Sequence, residues 1–256
     1  MNGVGEWLGV LIAIVSSCLG GTAAAVTRYL VGNADPLTLA ILRWGIGFLC
    51  VLPIALILRV RWPGRGDWLP VAGLGICFFG LFFILYNIAI GYTTAARASL
   101  ALSTLPLQTM AVGAVLCMAF YNVWSRPFIQ RSSALGFLAV GMGSGAAVLV
   151  TAGLVTGRIA VLASFGAPQW IAGIYLGVGG GALAFILWVM ALQRASPTRV
   201  ANTMTVNPIA AALLASQLVD EPITLNLVIG LAAVFAGIWI ATTEPKSRPK
   251  AAPKST

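Results

Sequence analysis

The sequence predicts an all-α, polytopic membrane fold of about eight transmembrane helices, and three observations predict it. The 256 residues are 59% hydrophobic and only 8% charged, with a mean hydropathy of +0.97. Apolar runs of spanning length follow one another, and their short connections hold most of the charge. Part of the chain then recurs at a fixed spacing.

Composition sets the solvent. A soluble domain carries about 25% charged residues. A buried core leaves a deficit this large unexplained, so lipid must face most of the surface. Helices are the only element that fits, because an open sheet would leave backbone groups unpaired in lipid. A β-barrel needs short alternating strands, which this sequence lacks.

A spanning helix needs about 20 mostly apolar residues. Eight segments meet that length: 7–31, 36–58, 68–91, 98–125, 134–156, 168–192, 199–219 and 223–243. The first has no Lys or Arg before it and is too long for the core of a cleavable signal. Its Val15-Ser16-Ser17-Cys18 resembles a lipoprotein cleavage box only by coincidence. The second follows Asp35-Pro36 and carries Arg43 within it. The fourth runs uninterrupted by charge. Gly141-Met142-Gly143-Ser144-Gly145 and Gly177-Val178-Gly179-Gly180-Gly181 have small-residue spacing suited to close helix packing. No Lys-Ser or Lys-Thr follows either run, so neither is a phosphate loop. Residues 244–256, rich in Pro, Lys and Ser, read as a disordered basic tail near anionic headgroups.

Loop charge gives the orientation. With the N-terminus inside, the cytoplasmic side receives Arg59, Arg61, Arg65, Arg126, Arg131, Arg194, Arg199, Lys246, Arg248, Lys250 and Lys254. The outside receives Arg28, Arg97 and Arg158, so both termini are expected in the cytoplasm. The net charge of +9 sits at span ends and in the tail, not on a basic face, which argues against nucleic acid. Cys18, Cys50, Cys77 and Cys117 lie in apolar runs and His is absent, so no zinc site and no cofactor is expected. An intramembrane enzyme would need a nucleophile with a base, a metal set or paired acids, and the sequence offers none.

A shift of 102 residues superposes 81–106 on 183–208. Leu81, Phe83, Ile84, Leu85, Ala89, Arg97 and Pro106 fall on Leu183, Phe185, Ile186, Leu187, Ala191, Arg199 and Pro208, and Tyr86 falls on Trp188. A weaker match pairs Thr27-Arg28 with Ser125-Arg126. In the topology above the two copies run in opposite directions, the usual construction of an alternating-access carrier. A duplicated scaffold with no transport role is the plain alternative. The second copy continues past Pro208 through Asp220-Glu221-Pro222 into a further span, whereas the first passes from Met110 straight into Ala111. A deletion near residues 110 and 111 accounts for this, with about 35–45 residues and two crossings lost, so parity is kept. The joined helix would be about 42 Å long and bend near Pro106. This divides the chain into a truncated first repeat, 1–110, a second repeat, 111–243, and the tail, 244–256.

Several stretches carry a family likeness. They are Thr27-Arg28, Asp35-Pro36 and Ile41-Leu42-Arg43-Trp44, the small residues from Ala89 to Pro106, and Val219-Asp220-Glu221-Pro222-Ile223-Thr224 before Gly230. Over residues 7–243 the chain resembles the EamA family of the drug/metabolite transporter superfamily. The resemblance implies ten helices in two inverted five-helix repeats, export of metabolites, and a bacterial inner membrane. This chain departs from it by lacking the loop and fifth span of the first repeat.

Polar groups in lipid face a cavity or a partner helix. Arg43 reads as an anion contact or gate, or equally as a snorkelling side chain or one bonded to helix-end carbonyls. Asn87, Asn122, Asn202 and Asn207 read as substrate contacts or as interhelical hydrogen bonds. Trp44, Tyr86, Tyr121, Trp124 and Trp188 read as walls of an apolar cavity or as interfacial aromatics. The expected binding set is Arg43, Trp44, Tyr86, Asn87, Tyr121, Trp124, Trp188, Asn202 and Asn207. All six acids lie near span ends or in loops, which favours facilitated diffusion or exchange over proton coupling. The expected function is alternating-access transport of a small organic metabolite, an amino acid or related compound, in the export direction. The alternative is a non-transporting scaffold or an inactive remnant. The lipid bilayer and a small-molecule substrate are the expected partners, and oligomeric state is left open.

Overall fold

The computed structural model describes residues 3–92, 94 and 112–243. Every regular element among them is helical, so the fold is an all-α, polytopic membrane protein. The helices are α1 (Gly3–Leu30), α2 (Pro36–Ile57), α3 (Trp68–Gly75), α4 (Phe83–Gly91), α5 (Val112–Arg131), α6 (Ala134–Val155), α7 (Ala167–Gly177), α8 (Ala184–Leu192), α9 (Pro197–Asn202), α10 (Val206–Leu218) and α11 (Leu225–Thr243). Five described runs are long and apolar enough to cross a membrane: Gly5–Leu30, Pro36–Ile57, Arg65–Gly91, Ala134–Val155 and Ala167–Leu192. The expected junction at 110 and 111, the bend at Pro106, and the tail lie outside the described residues.

Local chemistry fixes the helix starts. The Asp35 Oδ1 accepts from the Leu37 and Thr38 amides at 3.0 and 3.3 Å, capping α2 with Pro36 in its first turn. Ser133 caps α6 by accepting from the Gly136 amide at 2.9 Å. These caps are 98 residues apart, the same offset that relates Thr27-Arg28 to Ser125-Arg126.

Two expected spans are not plain α-helices. Between α3 and α4 the chain is π-helical over Ile76–Phe82, and between α7 and α8 over Val178–Leu183. The two wide segments start 102 residues apart, at the offset of the sequence repeat. The expected 199–219 span is also broken. α9 gives way to a 3-10 turn, Thr203–Thr205, and α10 restarts at Val206, so Pro208 falls in a first turn that needs no amide from it. α5 continues to Arg131, beyond the expected end at 125, because the charged stretch leaves the apolar zone still helical.

Ion pairs sort the connections into two ends. At one end Arg28 pairs with Glu221 at 3.0 Å and Arg158 approaches Asp35 at 3.8 Å. At the other, Arg199 pairs with Glu6 at 3.2 Å and Arg131 with Asp67 at 3.3 Å. Arg61 there donates to the Gln130 carbonyl at 3.3 Å and to the Arg131 carbonyl at 2.5 Å. The run 68–91 therefore travels from the Asp67 end to the Arg28 end, and 167–192 travels back, so the two copies are inverted.

The helices cross through glycines. α2 packs on α6 and on the α7–α8 run, and α6 packs on the α3–α4 run. A Cβ on Gly75 would fall on the backbone of Gly141, and one on Gly181 would lie 2.7 Å from the Arg43 carbonyl oxygen. Gly177, the counterpart of Gly75 at 102, would meet the side chain of Ile46 in the same way.

Candidate functional site

The central crossing places Arg43 and Trp44 of α2 between the two copies. The indole of Trp44 is fully buried, with the Phe83 ring centroid at 4.4 Å and the Phe185 centroid at 5.4 Å. Phe83 and Phe185 are repeat partners at 102, so Trp44 sits where the copies meet. Phe79 closes the cluster at 4.8 Å.

Arg43 is 6% exposed. One Nη2–H donates to the Gly180 carbonyl at 3.0 Å, across to the second π-helical segment. The guanidinium carbon lies 5.1 Å from the Trp44 ring centroid and 4.8 Å from that of Phe83, which stabilises the cation through the ring quadrupoles. The Arg43 Nε and the Trp44 Nε1 are buried and have no hydrogen-bond acceptor. Gly180 also lets this segment pack on α1, because a Cβ there would collide with Ala23.

A polar seam runs beside this cluster along α1. Ser16 donates to the Ala184 carbonyl at 2.7 Å, Ser17 shares a hydrogen bond with Thr203 at 3.1 Å, and Thr22 shares one with Tyr175 at 2.6 Å. Asn207, one turn on from the 3-10 break, lies against Gly20 and Gly21, and its Oδ1 is buried without a donor. The hydroxyls at Ser16 and Ser17, in an otherwise apolar span, were the sequence signal for this seam.

The structure brings together only part of the expected set. Tyr86 is buried beside the cluster, 5.9 Å from Phe83. Tyr121 stacks on Phe78 at 4.3 Å. Asn87 donates to the Pro36 carbonyl at 3.0 Å, at the start of α2. Trp188 packs among Ala13, Ala191, Ala195 and Val200. Trp124 is 56% exposed and stacks on Phe120, so it faces outward. Asn202 precedes the 3-10 turn, where its carbonyl accepts from Thr205 at 2.7 Å. The side chain of Asn122 lies outside the described residues. Gly180, Phe83 and Phe185 join the site without having been singled out. A shallow pocket of about 160 Å³ lies elsewhere, bordered by Glu221, Pro222, Thr224 and Leu227 at the Arg28 end. No group of three metal-binding side chains occurs among the described residues.

Asn87→Ala is expected to leave the Pro36 carbonyl unpaired and to cost about 1–2 kcal/mol. Thermal unfolding in detergent reads this, and substrate KM should stay put. A changed KM at unchanged stability would instead place Asn87 in the binding site.

The EamA-like transporter family profile matches residues 7–112 and 108–243. An uncharacterized transporter of Archaeoglobus fulgidus is 25% identical over 272 aligned positions, covering 90% of this chain and 95% of that protein. Those positions outnumber the 256 residues here, so the alignment opens gaps on this chain's side. A protein of known crystal structure superposes with a TM-score of 0.64 at 19% identity, over 94% of this chain and 99% of its own. At that identity the likeness is one of fold.

Proposed function

Because the chain belongs to the EamA-like transporter family and is a multi-pass membrane transporter, we propose that it exports a small organic metabolite by alternating access. The observation that carries this reading is Trp44 held between Phe83 and Phe185, equivalent residues of two inverted copies. Carriers of inverted repeats bind substrate where the repeats meet, near the midplane. The paired π-helical segments on either side support it, since such segments are frequent at functional sites and give a helix somewhere to yield.

The membrane is the cell membrane, with both termini in the cytoplasm, as loop charge favours. The described state has ion pairs at both ends, as an occluded intermediate would. The substrate contacts are Arg43 and Trp44, with Tyr86, Tyr121 and Asn207 around them. Asn87, Asn202, Trp124 and Trp188 hold helices or face outward instead.

A second reading has its own support. The alignment with the archaeal relative is longer than this chain, as it would be had the chain lost residues, and a loss of the kind expected near residues 110 and 111 would make it a remnant. The full chain and a version with a fifth span inserted after residue 110, reconstituted in vesicles loaded with amino acids and related metabolites, separate the two. Equal flux from both is expected. Flux from the restored form alone would establish the remnant, and flux from neither would remove the carrier reading.

A further inference from the structure

Resting on the carrier reading, we propose that Arg43 and Trp44 form a single site for the carboxylate of an organic monoanion with an apolar body. Among the described residues, Arg43 is the charged side chain set deep within a span. The described ion pairs engage Arg28, Arg131, Arg158 and Arg199, and none engages Arg43. Arg43 is therefore a buried cation in no described ion pair, met by a carbonyl dipole and two ring faces, with the Tyr86 and Tyr175 side chains near it. Such a charge is costly unless an anion visits it.

The unpaired atoms specify the ligand. Arg43 Nε and Trp44 Nε1 are both donors, both buried, and both lack an acceptor. A ligand that satisfies them must accept hydrogen bonds, so an ammonium group, which only donates, is excluded at this point. The planar guanidinium matches a carboxylate in two parallel bonds. One uncompensated cation balances one negative charge, which favours a monocarboxylate over a phosphate ester or a dicarboxylate. The rings of Phe79, Phe83 and Phe185 around Trp44 supply the apolar wall.

The inverted repeat does not build the site twice. At the offset of 98, Arg43 falls on Gly141, and at 102, Gly180 falls on Phe78. Phe78 and Phe79 fill the related position with their own rings, and a Cβ on Gly141 would touch Phe79. One anion per chain follows. In the ligand-free state the Gly180 carbonyl holds the guanidinium in place of the anion. Binding moves Arg43 from that carbonyl to the substrate and releases α2 from the glycine-rich π-helical segment.

The test uses the full chain in nanodiscs, with phenylacetate against its neutral amide, phenylacetamide, and against phenyl phosphate. Tryptophan fluorescence and thermal unfolding read binding. Phenylacetate is expected to bind saturably and raise the unfolding midpoint, with the amide and the phosphate ester weaker by about tenfold or more. Arg43→Gln should abolish the preference for acid over amide while its ligand-free midpoint holds or rises. Arg43→Lys should keep part of the preference. Trp44→Phe, which retains a ring and loses the N–H, should weaken phenylacetate several-fold. Equal binding of acid and amide, tighter binding of phenyl phosphate, unchanged binding by Arg43→Gln, or no binding of phenylacetate, benzoate and hexanoate alike would each overturn the proposal. A ligand-free midpoint that falls in Arg43→Gln, with no acid preference in Arg43→Lys, would make Arg43 structural and also overturn it. Vesicle flux separates this from the carrier reading. Arg43-dependent binding without flux removes the carrier and leaves the site. Flux indifferent to Arg43 removes the site and leaves the carrier.

Discussion

Replacing Gly75 by valine is expected to destabilise the protein by about 3 kcal/mol, at the upper end of what overpacking a filled interface costs. The reason is the direct backbone contact between α3 and α6. A Cβ at Gly75 would meet the carbonyl oxygen and Cα of Gly141, and backbone has no rotamer into which to withdraw. Relief requires α3 to move off α6, which carries the π-helical segment and the Phe78–Phe79 pair with it. Gly73→Ala, two residues earlier on the same helix, is the matched control. Nothing lies within 4 Å of its new Cβ, so only helix propensity acts, favourably by about 0.5–1 kcal/mol. Unfolding midpoints in one detergent measure both. Equal midpoints for the two variants would mean that the helices do not cross at Gly75.

Where the sequence showed its structure, it did so through caps and charge. The spans 36–58 and 134–156 were legible nearly to the residue, and Asp35 and Ser133 cap them where the apolar runs begin. The π-helical stretches were not. Ile76–Phe82 is apolar on every side, and Val178–Leu183 is nearly all glycine and small aliphatics, so no periodicity separates five-residue from four-residue bonding. The break in the seventh span at Thr203–Thr205 was not legible either, because Pro208 lies past it in a first helical turn, where proline is tolerated.

The site was half legible for similar reasons. Arg43 and Trp44 stood out as a charge and a large ring inside an apolar run. Their partners did not, because Gly180 contributes only a carbonyl and Phe83 and Phe185 look like ordinary core. The offset of 102 already paired those two phenylalanines, and it was the one signal that could have placed them together. Trp124 shows the converse. Its type fits a cavity wall, but helix direction sets its face, and an apolar span carries no stripe from which to read that.

Cross-linking the Arg28 end is expected to stop transport. Arg28 there joins three elements, donating to Glu221 at 3.0 Å and to the Ile90 and Gly91 carbonyls at 3.4 and 3.3 Å. It thus ties α1 and α4 of the first copy to the connection before α11 in the second. The opposite end is tied between copies as well, by Glu6–Arg199 and Asp67–Arg131. The arginine side chains of these pairs are one-third to two-thirds exposed, and exposed pairs hold by only about 0–1 kcal/mol each. That weakness is what an alternating gate requires, because each end must open in turn under a modest shift in population. A covalent tether cannot be shifted in this way. In a background with Cys18, Cys50, Cys77 and Cys117 changed to alanine, Arg28→Cys with Glu221→Cys joined by a short bis-thiosulfonate should lose flux by about tenfold or more, since an end held shut lifts the opening barrier well above 1.4 kcal/mol. Reductant should restore it, and each single cysteine should be indifferent to the reagent. Full-rate flux through the tethered protein would mean that this end never opens, and the substrate path would have to avoid the interface between the copies.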